Sequence, residues 1–283
     1  MPKFEQVYKF DYQELDALTS QMSDTAIAKK IGCAVSTVFL ARKQFSIKSY
    51  SQKTGNKISR KSGRVLEPGV GEYFDKVTVD RQFFKSIDSE VKAYTLGLTA
   101  TDGFISYNPK GRYFGIELQM PDSIVLHTIA KAITGNDSCV KVQTRLGKKP
   151  TERMIVHSRD LVEQLMNLGI TSKPLRQCVK DLPEHYARHY LRGIFDGDGC
   201  IKKDGGKLGV PSALFASGVA QLVKAHLGLV LNVKERSING KPFYTIYFEG
   251  VNKYRSLIEW TYLNTTIAIP RKLETASIWL SRF

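Results

Sequence analysis

The chain has 283 residues, 42% of them hydrophobic, with 42 Lys+Arg against 27 Asp+Glu and a formal net charge of +15. No apolar run approaches bilayer length, and the start Met1-Pro2-Lys3-Phe4-Glu5 lacks a signal-peptide pattern, so a membrane-spanning or secreted protein is not expected. The basic surplus favours a polyanion as partner, nucleic acid first and an anionic membrane surface second. Cys33, Cys139, Cys178 and Cys200 are scattered without a C-x-x-C pair. That argues against a cysteine zinc site and for a reducing, intracellular setting.

Residues 11–47 read as three short helices. Ser23-Asp24 offers an N-cap to a helix over Thr25–Ile31, and Gly32 supplies its left-handed end. A third helix runs from about Val35 to Phe45. Ile27, Ile31, Val38 and Phe45 are expected to share one small core. Residues 48–66 then mix Lys53, Lys57, Arg60, Lys61 and Arg64 with Ser, Gly, Asn and Thr, and cannot bury enough apolar surface to fold alone. We divide the chain into a helical domain at 1–48, a basic linker at 49–87, and two repeats at 88–182 and 183–283.

Each repeat reads as helix, two strands, helix, two strands, helix. In the first, helices are expected at Glu90–Thr101, Ser123–Thr134 and Asp160–Leu168. Its strands fall near Phe104–Tyr107, Tyr113–Gln119, Val140–Arg145 and Met154–His157. In the second, helices are expected at Tyr186–Phe195, Ser217–Leu227 and Asn252–Tyr262. Its strands fall at Cys200–Lys203, Val233–Ile238 and Tyr244–Glu249, with Asn239-Gly240 as a hairpin turn. The Asp-Gly corners at Asp102 and Asp198 lie 198 − 102 = 96 residues apart. That spacing is too long for a solenoid repeat and suggests two fused αββαββα units about a pseudo-two-fold axis.

The corners carry the chemistry. One reads Thr95-Leu96-Gly97-Leu98-Thr99-Ala100-Thr101-Asp102-Gly103, the other Leu191-Arg192-Gly193-Ile194-Phe195-Asp196-Gly197-Asp198-Gly199. Gly97 and Gly193 lie mid-helix, where glycine costs about 1 kcal/mol relative to alanine. They make sense if two helices pack with their backbones close together. Asp102 and Asp198 then face each other at helix C-termini, an unfavourable place for a carboxylate unless a divalent cation such as Mg²⁺ sits between them. Such a site suits phosphodiester hydrolysis.

These segments resemble the paired LAGLIDADG motifs of monomeric homing endonucleases. The resemblance covers about Phe83–Phe283 and includes Phe83-Phe84-Lys85-Ser86-Ile87-Asp88 before the first motif. It also includes Leu168–Lys173 and Ala268–Lys272, which close the two repeats. It implies an α+β fold with two antiparallel sheets forming a DNA saddle. It implies Asp102 and Asp198 as metal-binding catalytic acids. Lys173 and Lys272 resemble basic residues near the family's active centre, and Gln119 lies near a polar position beside it. The first motif departs from the pattern at Thr99, Ala100 and Thr101.

The strands supply candidates for base and phosphate contact: Arg112, Lys141, Gln143, Arg145, Lys202, Lys234 and Arg236. The N-terminal unit resembles a helix-turn-helix, with Ser36, Thr37, Arg42 and Lys43 expected to face DNA. The whole implies a monomeric, Mg²⁺-dependent endonuclease of mobile introns that cuts double-stranded DNA at a long asymmetric site. A cleavage-inactive DNA-binding regulator and an intron RNA maturase are the alternatives.

Overall fold

The computed structural model describes residues 11–50, 53, 79–108, 111–179, 181–202 and 205–282. Most of the linker expected at 49–87, including Lys57, Arg60, Lys61 and Arg64, lies outside the described residues. The chain divides into two compact units, Met1–Lys76 and Val77–Phe283.

The first unit holds α1 (Tyr12–Gln21), α2 (Asp24–Ile31) and α3 (Val35–Gln44). Asp11 caps α1 by accepting from the amides of Gln13 and Glu14, and the Ser23 hydroxyl accepts from the amide of Ala26 at the start of α2. Gly32 ends α2 at φ 77°, a left-handed position that glycine takes without strain. Leu15, Leu18, Ile27, Ala28, Val38, Ala41 and Ile47 form its core, with Met22, Cys33 and Phe45 packed against it. Ile31, expected in this core, is exposed instead.

Arg42 also departs from expectation. It is buried rather than DNA-facing. Its Nε and Nη2 donate to the Asp24 carboxylate at 2.7 and 2.6 Å, and Nη1 donates to the Ile47 carbonyl at 3.1 Å. The partner is a carboxylate in the first turn of α2, so this arginine ties α3 to α2. Ser36 and Lys43 are exposed on α3, and Thr37 is half-buried.

The second unit opens with Phe83 and Phe84 packed edge to face, their ring centres 4.9 Å apart. Its first repeat is α4 (Glu90–Thr101), β1 (Gly103–Asn108), β2 (Gly111–Gln119), α5 (Ile124–Thr134), β3 (Val140–Gln143), β4 (Thr151–His157) and α6 (Arg159–Asn167). Its second repeat is α7 (Glu184–Asp198), β5 (Gly199–Lys202), β6 (Gly205–Val210), α8 (Ala213–Leu227), β7 (Asn232–Ile238), β8 (Lys241–Glu249) and α9 (Val251–Tyr262), followed by α10 (Pro270–Leu280). The two sheets are antiparallel with matching orders, β1-β2-β4-β3 and β5-β6-β8-β7. This is the α+β fold of two pseudo-symmetric repeats.

Several elements differ from the sequence reading; α8 begins at Ala213 rather than Ser217, and β4 at Thr151 rather than Met154. Strand β6 was not expected, because Gly205, Gly206 and Gly209 leave little side-chain alternation to see. Helix α10 was not expected either; it starts at Pro270, whose missing amide costs nothing at a first helical position. Helix α7 runs on through Asp198 rather than ending at Phe195. The hairpin at Asn239-Gly240 has both residues at positive φ, 52° and 72°, as its sequence implied.

Both repeats contribute to one continuous core. In sheet one, Phe114, Ile116 and Leu118 of β2 and Met154 and Val156 of β4 are buried toward the helices. In sheet two, Leu208, Ile246 and Phe248 do the same. Alternate residues therefore turn to the opposite face of each sheet.

Candidate active site and nucleic-acid interface

Helices α4 and α7 pack side by side at the centre of the second unit. A Cβ on Gly97 would stand 2.1 Å from the carbonyl oxygen of Tyr190, and one on Gly193 would stand 2.2 Å from that of Tyr94. Backbone meets backbone at both points, so no larger residue fits without moving a helix. Lower down, Thr101 faces Gly197, where a Cβ would lie 2.0 Å from the threonine hydroxyl oxygen. The first motif's departure at Thr101 is thus matched by glycine in its partner.

This packing brings Asp102, the C-cap of α4, beside Asp198, the last residue of α7. Asp102 is half-buried and Asp198 reaches solvent. Burial, and then the neighbouring Asp198 charge, push the Asp102 carboxyl up to about 6. Burial also raises Asp198, against the opposing charges of Lys173, Arg176 and Lys272. Among the described residues neither carboxylate has a hydrogen-bonded or ion-paired partner.

Two buried cations close off the helix ends. Lys272 donates its ammonium to the carbonyls of Phe195, at 3.3 Å, and Gly199. Arg176, which sequence reasoning missed, donates to the carbonyls of Ala100 (2.8 Å), Thr101 (3.3 Å) and Gly103 (2.7 Å). Arg176 thus gives partners to the last two carbonyls of α4, and Lys272 ties the end of α7 to the first residue of β5, each cation coming from the stretch that follows its own repeat. The only sequence signal for Arg176 was its position in the same closing stretch as Lys173.

Lys173 is exposed on a 3₁₀ turn, and its charge acts on both aspartates. Asp122, also missed, adds a third negative charge near Asp102 and is held by Arg271 at 2.7–2.9 Å. Gln119 lies exposed at the end of β2, opposite Thr151, and bonds neither aspartate among the described residues.

Buried Asp196 braces the site from behind. It accepts from the hydroxyls of Tyr94 and Tyr262, both at 2.7 Å, and from the amide of Ile269 at 2.6 Å. Ile269 is the N-cap of α10, so this carboxylate fixes the helix start from which Lys272 reaches back. At the other end of α4, Glu90 accepts from Arg192 at 2.6 Å and from the Thr265 hydroxyl at 2.7 Å.

Residues in direct register share a face, which sorts the candidate DNA contacts. On sheet one, Lys141 and Gln143 face away from the helices, opposite Arg153 and Thr151. Arg145 joins them by donating to Glu117 at 3.1 Å. Arg112 does not. It shares the parity of Phe114, turns to the helix side, and bonds Glu163 of α6 at 3.1 Å. On sheet two, Lys202, Lys234 and Arg236 all face away from the helices. Lys207 on the unanticipated β6 lies with them, opposite Tyr247. Lys234 and Arg236 both lie over the Tyr247 ring.

Residues 185–259 match the family model described as a LAGLIDADG-like domain. The I-DmoI structure in complex with DNA and calcium superposes with a TM-score of 0.51 at 14% identity, covering 67% of this chain and 96% of that one. Mesophilic variants of the homing endonuclease I-DmoI give 0.52 at 13% identity, covering 67% and 97%. The fold is of the LAGLIDADG type. No curated protein sequence matches the chain. Among the described residues no cluster of three or more His, Cys, Asp or Glu side chains is placed to hold a metal, and no helix is long and apolar enough to cross a membrane.

Proposed function

We propose that this protein is a site-specific endonuclease, acting as a monomer on double-stranded DNA with a divalent cation. The carrying observation is the Asp102–Asp198 pair, two carboxylates at packed helix ends with no hydrogen-bonded or ion-paired partner among the described residues. Carboxylate oxygens are the hard donors that Mg²⁺ takes, and Mg²⁺ commonly completes its coordination with water and substrate phosphate oxygens. A cation held there would neutralise charge developing on the scissile phosphodiester.

The remaining work falls to the chain itself. The sheet faces turned away from the helices of their own repeats present Lys141, Arg145, Lys202, Lys207, Lys234 and Arg236 to the phosphate backbone and base edges. Lys173 offsets the charge of the carboxylate pair from solvent, and Lys272 and Arg176 hold the helix ends that carry it. Non-identical repeats on one chain imply an asymmetric target. The structure of I-DmoI, solved with DNA and calcium, supports this reading by its shared fold.

Incubation with a randomised duplex library and Mg²⁺, followed by sequencing of cut ends, tests it. A single long consensus at the ends, lost with EDTA and with Asp102→Asn, is expected. Selective duplex binding without cut ends would make the protein a regulator on the same scaffold. Preference for structured RNA over duplex DNA would favour the maturase alternative.

A further inference from the structure

The face of sheet one turned away from its own repeat's helices holds a carboxylate where a phosphate-binding surface should have none. Glu117 lies mid-sheet on β2, directly opposite Arg153 of β4. It accepts from the Thr151 hydroxyl at 2.8 Å, from Arg145 Nη2 at 3.1 Å, and from Nε of Arg153 at 2.8 Å and its Nη2. Burial alone would raise this carboxyl, but the bonds from Arg153 and Thr151 outweigh it and keep Glu117 ionised.

The clamp orients one arginine. The Nε–Nη2 edge of Arg153 is taken by Glu117, and its guanidinium lies over the Phe104 ring at 5.4 Å. The Nη1 atom has no hydrogen-bonded partner among the described residues. A planar, oriented guanidinium with its Nη1–Nη2 edge open is suited to a pair of acceptors in one plane. In the major groove that pair is N7 and O6 of guanine. A phosphate contact fits less well, because the adjoining carboxylate repels phosphate and cancels much of the arginine's charge.

We propose that Arg153 is a specificity-determining residue that reads a guanine, and that Glu117 is its positioning residue. This rests on the proposal that the sheet faces bind duplex DNA. The experiment is a binding selection on a randomised duplex library with the full chain, without added divalent cation. It compares wild type with Arg153→Lys, which keeps the charge but loses the planar fork, and with Glu117→Gln, which keeps the shape but loses the clamp.

Wild type is expected to select guanine at one position of the first repeat's half-site. Arg153→Lys should lower that preference by about tenfold or more at that position alone. Glu117→Gln should lower it by less, while binding to unrelated duplexes stays equal or tightens. Unchanged guanine preference in Arg153→Lys, or an even loss of affinity across all sequences, would overturn the assignment and leave the DNA-binding reading standing. A wild-type protein that selects no duplex would overturn both.

Discussion

Gly97 lies so close to Tyr190 that a methyl group on it would stand 2.1 Å from the tyrosine's carbonyl oxygen. The obstacle is backbone on the neighbouring helix, so it cannot rotate away as a side chain would. Gly97→Ala is expected to destabilise the protein by about 2–3 kcal/mol despite alanine's better helix propensity. Gly193→Leu should lose more and abolish cleavage, since parting the helices also parts Asp102 from Asp198. Thermal melts check this, and a higher melting temperature in either variant would contradict the close packing.

Asp102→Asn and Asp198→Asn should each retain duplex binding and lose cutting. Their metal-free stability gives a second readout. Burial and the facing carboxylate raise the Asp102 carboxyl to about 6, so its ionised form strains the fold above that pH. A neutral isostere should hold or raise the melting temperature at pH 8 without metal. A clear fall would show that the carboxylates stabilise the helix ends in a way the geometry does not reveal.

Arg176 supplies two hydrogen bonds to the end of α4, one to Gly103 at the start of β1 and one, at 3.1 Å, to the Thr171 carbonyl. Arg176→Met would leave buried carbonyls without donors, at a cost of about 3 kcal/mol or more. Arg176→Lys cannot span the same set and should fall between. Denaturant midpoints of the two variants order them, and equal stability of Arg176→Met and wild type would remove the cap.

In the N-terminal unit, Arg42→Ala should loosen the helices by about 2 kcal/mol, because it breaks a largely buried bidentate pair with Asp24. Lys43→Ala, at an exposed site, should leave stability alone. Hydrogen exchange at the amides of α2 and α3 in the full chain distinguishes them. Equal protection in the two variants would mean that the pair contributes nothing.

Glu90 gives the fold an acid-sensitive joint. Burial would raise its carboxyl, but the Thr265 hydroxyl, the Thr266 amide and the Arg192 charge bring it down to about 2, against 4.5 unperturbed. Stabilisation from a depressed carboxyl is complete above about pH 4.5 and is lost as pH falls toward 2. Discounted for partial exposure, the effect is roughly 2 kcal/mol. The stability gap between wild type and Glu90→Gln should therefore be widest near neutrality and shrink between pH 4.5 and 3. A gap constant over that interval would contradict the assignment.

The motif helix Glu90–Thr101 was legible to the residue because its N-cap, apolar run and Asp-Gly end are all local signals. The opposed glycines were legible because they break helix propensity twice at one offset. Arg112 carries the charge expected of a DNA contact, but its parity with Phe114, Ile116 and Leu118 places it on the helix side, because a strand's period of two and not charge sets the face a side chain takes. Arg176, Asp122, and the pairing of Glu117 with Arg153 depend on strands and closing segments meeting across long stretches of chain. No spacing in the sequence carries that information.

The meeting of Thr101 with Gly197 makes the two halves plug and socket. A pair built from two first repeats would set threonine against threonine at this point, where the structure has room for one threonine against a glycine. The first repeat therefore cannot stand in for the second across the central helix pair. The two halves of the chain are complementary rather than interchangeable, and a larger residue at 197 would press on Asp102 as well as on Thr101.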